Sequence, residues 1–196
     1  MVGAILTQNT AWRNVSLAIA NLKSADILDP AALLRAEPER VKALIAPSGF
    51  FNVKYDRLRS FLEYLVRWDM DFGRFLHLPI AHLRNELLEV KGIGPETADS
   101  ILLYAFDRPI FVVDAYTRRL FSRLGYIWMD KAAYDEVQRF FMDELPSESS
   151  LYNEFHALIV NHCKDICRKR PLCSSCELSL LCSAYPFNNP DQKMLE

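Results

Sequence analysis

The stretch LLEVKGIGPETADSILLYAF, residues 87–106, sets two glycines one residue apart between two apolar runs. Leu87 to Val90 read as the end of one helix. Pro95 suits the first turn of the next, where its missing N–H would have had no helical partner. Lys91-Gly92-Ile93-Gly94 is then the turn, with Ile93 and Ala98 facing inward to hold the two helices together. The N–H groups at the mouth of the second helix and the positive end of its dipole form an anion site. An ordinary glycine turn between core helices is the competing reading.

Two familiar phosphate loops do not fit. No strand precedes the turn and a third glycine is missing, which removes a dinucleotide-binding fold, and the Gly-Lys-Ser/Thr ending of a Walker loop is absent. Helix, Gly-x-Gly hairpin, helix matches the helix-hairpin-helix module, which grips a DNA backbone phosphate without reading sequence. On that reading Val90, Gly92, Ile93, Gly94, Glu96 and Thr97 form the DNA-facing turn.

Outward from the hairpin, the 196 residues are dominated by three- and four-residue apolar spacing. Ile5, Ala11/Trp12, Val15, Ile19 and Leu22 continue one such stripe, and Tyr55, Leu58, Phe61/Leu62, Leu65 and Trp68 another. Tyr134, Val137, Phe140/Phe141 and Leu145 make a third, which Pro146 stops. SLYNEFHALIVNHC adds a fourth, with Ser149 or Ser150 as its N-cap. Only residues 109–113, PIFVV, read as extended, so the fold class is all-α. Residues 1–125 are expected to form a six-helix-type domain carrying the hairpin motif at about 87–106. Residues 126–186 carry the C-terminal helices and a cysteine loop, and 187–196 a polar, fraying tail. Val2 already lies inside an apolar helix with no cap before it, so the chain reads as lacking an N-terminal helix.

Hydrophobic residues make up 51% and charged residues 24% of the chain, ordinary for a globular protein. No run of eighteen apolar residues is present to span a membrane. Met1 leads straight into VGAILTQNTAW, without a basic segment and cleavage site, so a cytoplasmic location beside the nucleoid is expected. A net charge of −2 decides nothing about nucleic acid, but basic residues cluster at Lys54/Arg57/Arg59, Arg118/Arg119/Arg123 and Lys164/Arg168/Lys169/Arg170. Each cluster reads either as a solvated helix face or as a phosphate contact.

Asp114 lies 22 residues after Gly92, ending an apolar run and opening the helix DAYTRRLFSRLG. It is expected as an N-cap, whose carboxylate the backbone N–H groups and the helix dipole keep charged. All five cysteines fall between Cys163 and Cys182, which in a chain of this kind favours a metal centre over disulfides. Cys167, Cys173, Cys176 and Cys182 have spacers of five, two and five residues. Four thiolates can hold an iron–sulfur cluster or zinc. Structural zinc favours two close pairs, and only Cys173-Ser-Ser-Cys176 is such a pair. Cys163 competes with Cys167 as first ligand, but it lies in the preceding helix.

In this order of motifs the chain resembles the helix-hairpin-helix DNA glycosylases typified by endonuclease III. ILTQNT, PSGFFNVK, KGIGPETAD, VVDAYTRRLFSRLG, FHALIV and the cysteine loop carry the resemblance along nearly the whole length. Within the family the pattern is most similar to the 3-methyladenine DNA glycosylases of endonuclease III type. The resemblance implies two helical subdomains with a cleft between them, a C-terminal [4Fe–4S] cluster, and double-stranded DNA with a damaged base as the partner of a monomeric enzyme. It implies Asp114 as the catalytic carboxylate, steadying positive charge on the sugar and orienting or deprotonating water.

Endonuclease III holds a Schiff-base lysine two residues after the second hairpin glycine. Here Glu96 stands there, Lys91 is across the turn, and glutamate cannot form an imine. A monofunctional, water-using enzyme acting on alkylated purines follows. A bifunctional glycosylase/lyase acting on oxidised pyrimidines and a non-enzymatic DNA-binding module are the competitors. Gln8 matches the side chain that fills the space left by the flipped base, or else caps a helix end. Trp12, Phe50 and Phe51 line a base pocket or belong to the core, and His156 does likewise. Lys54 meets phosphate or solvent, and Arg168 and Lys169 meet phosphates from the cysteine loop.

Overall fold

The computed structural model describes residues 1–185; the expected tail at 187–196 lies outside them. Eleven α-helices and no strand are present among the described residues, in two compact units divided between Arg108 and Pro109.

The first unit contains α1 (Val2–Leu6), α2 (Trp12–Ser24), α3 (Pro30–Arg35), α4 (Pro38–Ile45), α5 (Phe51–Val66), α6 (Phe72–His77), α7 (Ile80–Glu89) and α8 (Pro95–Phe106). The N-terminal periodicity, which reads as one helix, is two. Thr7 Oγ1 turns back to donate to the Gly3 carbonyl at 2.6 Å, and Asn9 adopts a left-handed φ of 56°. Ile5 and Leu6 are buried before this corner, and Val15, Ala18 and Leu22 after it. Asp29 and Asp71 cap α3 and α6 by accepting from Ala32 and Gly73 amides, and proline occupies the first turn of α3, α4 and α8. α5 runs through the middle, packing against α1, α3 and α4, while α7 and α8 pack on each other. Its Phe61 and Tyr64 join Phe75 and Phe106 in one aromatic cluster. Arg108 closes the unit by donating to the carbonyls of Phe75, Leu76 and Leu78.

The second unit contains α9 (Ala115–Leu124), α10 (Tyr134–Glu144) and α11 (Ser149–Asp165). α11 begins at Ser149 with Glu148 in the cap position and no side-chain cap, so neither Ser149 nor Ser150 is the N-cap. The extended residues 110–113 thread through the interior, all of them buried. Without a neighbouring strand their backbone needs other partners. Gln138 donates to the Phe111 carbonyl at 2.6 Å, and the Val113 N–H donates to Tyr134 Oη at 3.2 Å. Phe111 stacks on Phe141 with ring centres 4.3 Å apart, and Phe121, Tyr152 and Phe155 surround the pair.

Candidate active site

In the first unit the hairpin is held from three sides. Val90 and Ile93 are buried and the Ile93 N–H returns to the Val90 carbonyl at 3.0 Å. Gly92 has φ +88°, and a β-carbon there would lie 2.3 Å from Arg57 Cγ, so both conformation and space require glycine. Gly94, the N-cap residue of α8, has φ −96° and nothing within 4 Å of where its β-carbon would be. Its lack of a side chain therefore serves no internal contact and leaves the helix mouth open. Asp99, fully buried on α8, takes Arg84 of α7 in a two-pronged pair at 2.8 and 3.2 Å. Glu96 is exposed in the first turn of α8, and Thr97 beside it is buried.

Gln8 meets this hairpin. Its Nε2 donates to the Gly92 carbonyl at 3.2 Å and to Thr97 Oγ1 at 2.8 Å, and its Oε1 accepts from Arg57. Trp12, Phe50 and Phe51 are 53%, 71% and 38% exposed, so the core alternative for these three fails. Phe50 also has a left-handed φ of 46°, a conformation a bulky side chain seldom adopts without support.

Lys54 corrects the expectation made for it. It meets neither phosphate nor solvent: it is 1% exposed, and its Nζ donates to the Leu6 carbonyl at 2.8 Å and the Ser48 carbonyl at 2.6 Å. Burial first, and then the Arg57 charge, lower its pKa. The cause is register. On α5 position 54 falls on the face of Leu58 and Phe61, and a long ammonium there must find internal acceptors.

In the second unit Asp114 caps α9. Its Oδ1 accepts from the Thr117 amide at 2.8 Å and the Thr117 hydroxyl at 3.0 Å, while Oδ2 lies 3.6 Å from His156 Nε2. Asp114 and His156 side chains are each about one-eighth exposed. Burial alone would raise the Asp114 pKa. The nearby His156 imidazole, followed by the two Thr117 bonds, outweighs it and holds the carboxyl below its usual range. The Asp-x-x-Thr spacing carried the signal for Thr117, which sequence reasoning missed.

The cysteine loop is gripped from α9. Arg119 donates to the carbonyls of Cys163 and Cys167 at 3.0 and 2.9 Å. Arg123 reaches the Cys167 sulfur at 3.2 Å and the carbonyls of Arg168 and Lys169. Arg118 is spent on the carbonyls of Met129 and Ala132. The basic cluster on α9 is therefore neither a solvated face nor a row of phosphate contacts. Arg168 and Lys169 themselves are exposed.

Cys167, Cys173, Cys176 and Cys182 all line one cavity of about 140 Å³, with His162 and Arg123 at its wall. Among the described residues no three His, Cys, Asp or Glu side chains converge on a point where a single ion would be held. Four thiolates lining one cavity are a donor set of the kind that holds an iron–sulfur cluster or zinc. The neighbouring Cys163 thiol, against the cost of burial and with Arg123 assisting, holds the Cys167 thiol below its usual range, and Cys163 is pushed up.

Residues 2–147 match the model of the HhH-GPD superfamily base excision DNA repair proteins. The chain belongs to the HhH-GPD superfamily. It is a DNA glycosylase of that superfamily. Among the similar proteins is one from Methanocaldococcus jannaschii, provisionally named a DNA repair glycosylase. It is 48% identical over 187 residues, covering 93% of this chain and 83% of its own. The structure of a Helicobacter pylori 3-methyladenine DNA glycosylase bound to 1,N6-ethenoadenine matches with TM-score 0.71 and 30% identity, covering 83% and 82% of the two chains. An endonuclease III–DNA complex matches with TM-score 0.78 at 21% identity, over 100% of this chain and 84% of that one. The latter establishes the fold alone. This glycosylase fold is all-α, as the periodicity of the sequence predicts.

Proposed function

We propose that this DNA glycosylase removes alkylated purines, of the 3-methyladenine kind, by hydrolysis without strand cleavage. The observation that carries the reading is Asp114: a carboxylate kept ionised by its cap and by His156 although its surroundings are largely dry. Cleavage of the bond between base and C1′ builds positive charge on the sugar, and a fixed anion lowers that barrier without reorganising. The same carboxylate can take a proton from the attacking water. A purine methylated at N3 carries a positive charge while bonded to the sugar and leaves readily, so no strong general acid is needed.

Exposed Glu96, at the family's lysine position, supports the water mechanism. The hairpin grips a backbone phosphate at the open mouth of α8 through Gly92 and Gly94, with Arg168 and Lys169 holding further phosphates. Gln8 fills the space the flipped base leaves. Trp12, Phe50 and Phe51 offer exposed aromatic faces to a cationic base, and His156 stands at Asp114. The similar Helicobacter pylori enzyme, named for 3-methyladenine and bound to 1,N6-ethenoadenine, supports the substrate class.

The four cysteines around their cavity would hold a [4Fe–4S] cluster, with Cys167, which lines that cavity where Cys163 does not, preferred as first ligand. When bound, the cluster supplies a rigid anchor for the loop bearing Arg168 and Lys169. The enzyme works as a monomer on double-stranded DNA in the cytoplasm, beside the nucleoid.

Excision is tested on duplexes carrying 3-methyladenine, 1,N6-ethenoadenine, hypoxanthine, thymine glycol or 8-oxoguanine, with borohydride present in parallel. Release of alkylated purines without a trapped protein–DNA adduct is the expected result. Release of thymine glycol with a trapped adduct would establish the lyase reading, and binding without release a non-enzymatic module.

A further inference from the structure

Gln8 is not a loose finger. Its amide has one acceptor and two donor hydrogens, and all are engaged: Oε1 by Arg57, Nε2 by the Gly92 carbonyl and by Thr97 Oγ1. The last two belong to the hairpin and its following helix, more than eighty residues away in sequence. Arg57 touches both parties. Its guanidinium donates to Gln8, and its aliphatic stem lies where only the missing side chain of Gly92 lets it fit. One turn earlier on α5, Lys54 fixes the Leu6 carbonyl, two residues before Gln8. Two cations on one face of α5 thus set the backbone and the side-chain amide of the Thr7–Asn9 corner.

We propose that Arg57 is a positioning residue that presents Gln8 to DNA as part of the hairpin, so that phosphate grip and gap filling are delivered by one preformed unit. A free glutamine would lose side-chain freedom on entering the stack; a latched one has already lost it. The guanidinium is half-buried and directed at an amide, so its effect on DNA is through Gln8 and not through a phosphate. This inference rests on the gap-filling reading of Gln8.

Binding is measured to a duplex containing one tetrahydrofuran abasic-site analogue and to the undamaged duplex, across a salt series. Arg57→Met keeps the stem over Gly92 and removes the charged bond, and its thermal melting controls for folding. It is expected to lose about tenfold in preference for the abasic duplex, as for one charge-assisted hydrogen bond, with the salt slope unchanged. Gln8→Ala should lose as much, the double variant no more, and Arg57→Lys should recover part. Additive losses in the double variant, or equal weakening on both duplexes with the slope reduced by about 0.9, would make Arg57 a phosphate contact and overturn the proposal. If Gln8→Ala alone keeps full preference, the gap-filling reading fails and takes the proposal with it. If Gln8→Ala loses it and Arg57→Met does not, only the proposal fails.

Discussion

Asp114 has a structural task as the cap of α9 and, on the function proposed, a chemical one, and one substitution separates them. In Asp114→Asn the side-chain oxygen still accepts from the Thr117 amide, so α9 keeps its cap hydrogen bond and only the part of its stability that comes from the charge is lost. The charge proposed to face the sugar is gone, and single-turnover excision should fall by about 10²–10³-fold, the scale seen when one electrostatic contact to a transition state is lost. The folded-state pKa of Asp114 lies below its ordinary 3.8. Its contribution to stability is therefore complete above that value and disappears as pH falls through the depressed one. His156 is the largest influence pulling it down. His156→Ala should accordingly move the acid limb of the pH–rate profile upward, which rates between pH 3 and 7 would reveal; an unmoved limb would mean the histidine does not govern this carboxyl. The two hairpin glycines make a second separable pair. Gly92→Ala forces a left-handed φ and a clash at 2.3 Å with Arg57, and should cost about 1–3 kcal/mol in denaturant melts. Gly94→Ala meets nothing within 4 Å, so it should melt normally yet bind duplex DNA more weakly, because on the proposed grip the new methyl group stands where a phosphate approaches.

At the scale of the element, the hairpin was legible because every cue is local: Gly-x-Gly, Pro95 at the first helical turn, and Ile93 and Ala98 turned in and buried. The Asp114 cap is local in the same way. What sequence could not reveal depends on segments far apart in the chain. The corner at Thr7–Asn9 interrupts an apolar stripe without a proline or glycine, and Lys54 looks like any surface lysine until α1 and the Ser48 turn supply its acceptors. Arg84 and Asp99 are a third instance: two ordinary charged residues, fifteen apart, that clasp α7 to α8. Asp99 has no exposure at all. Arg84→Met would take the two-pronged partner from a buried carboxylate and should destabilise by about 3–5 kcal/mol, with DNA affinity falling as the two hairpin helices lose their angle. Replacing both residues by apolar ones of similar volume should recover most of the melting temperature; if it does not, the clasp acts through something other than charge.

Across the whole molecule the charge is −2, so attachment to a polyanion must come from a few local cations and not from the general field. The structure divides the basic residues that sequence groups together. Arg118, Arg119 and Arg123 have their guanidinium groups on backbone carbonyls, whereas Arg168 and Lys169 are exposed on the loop those arginines hold. Each phosphate contact made by an exposed cation adds about 0.9 to the slope of log affinity against log salt. Arg168→Gln and Lys169→Gln should each reduce that slope by about one contact and leave visible absorbance from a bound cluster unchanged. Arg119→Gln should do the reverse: it releases the carbonyls of Cys163 and Cys167, lowers the melting temperature and loosens the proposed cluster, with weaker DNA binding only as a consequence of the loop losing its shape. Measured on protein selected for full cluster absorbance, its salt slope should match that of the unaltered enzyme. A slope lowered there would return Arg119 to the phosphate-binding set, and would require that its two carbonyl bonds break when DNA arrives.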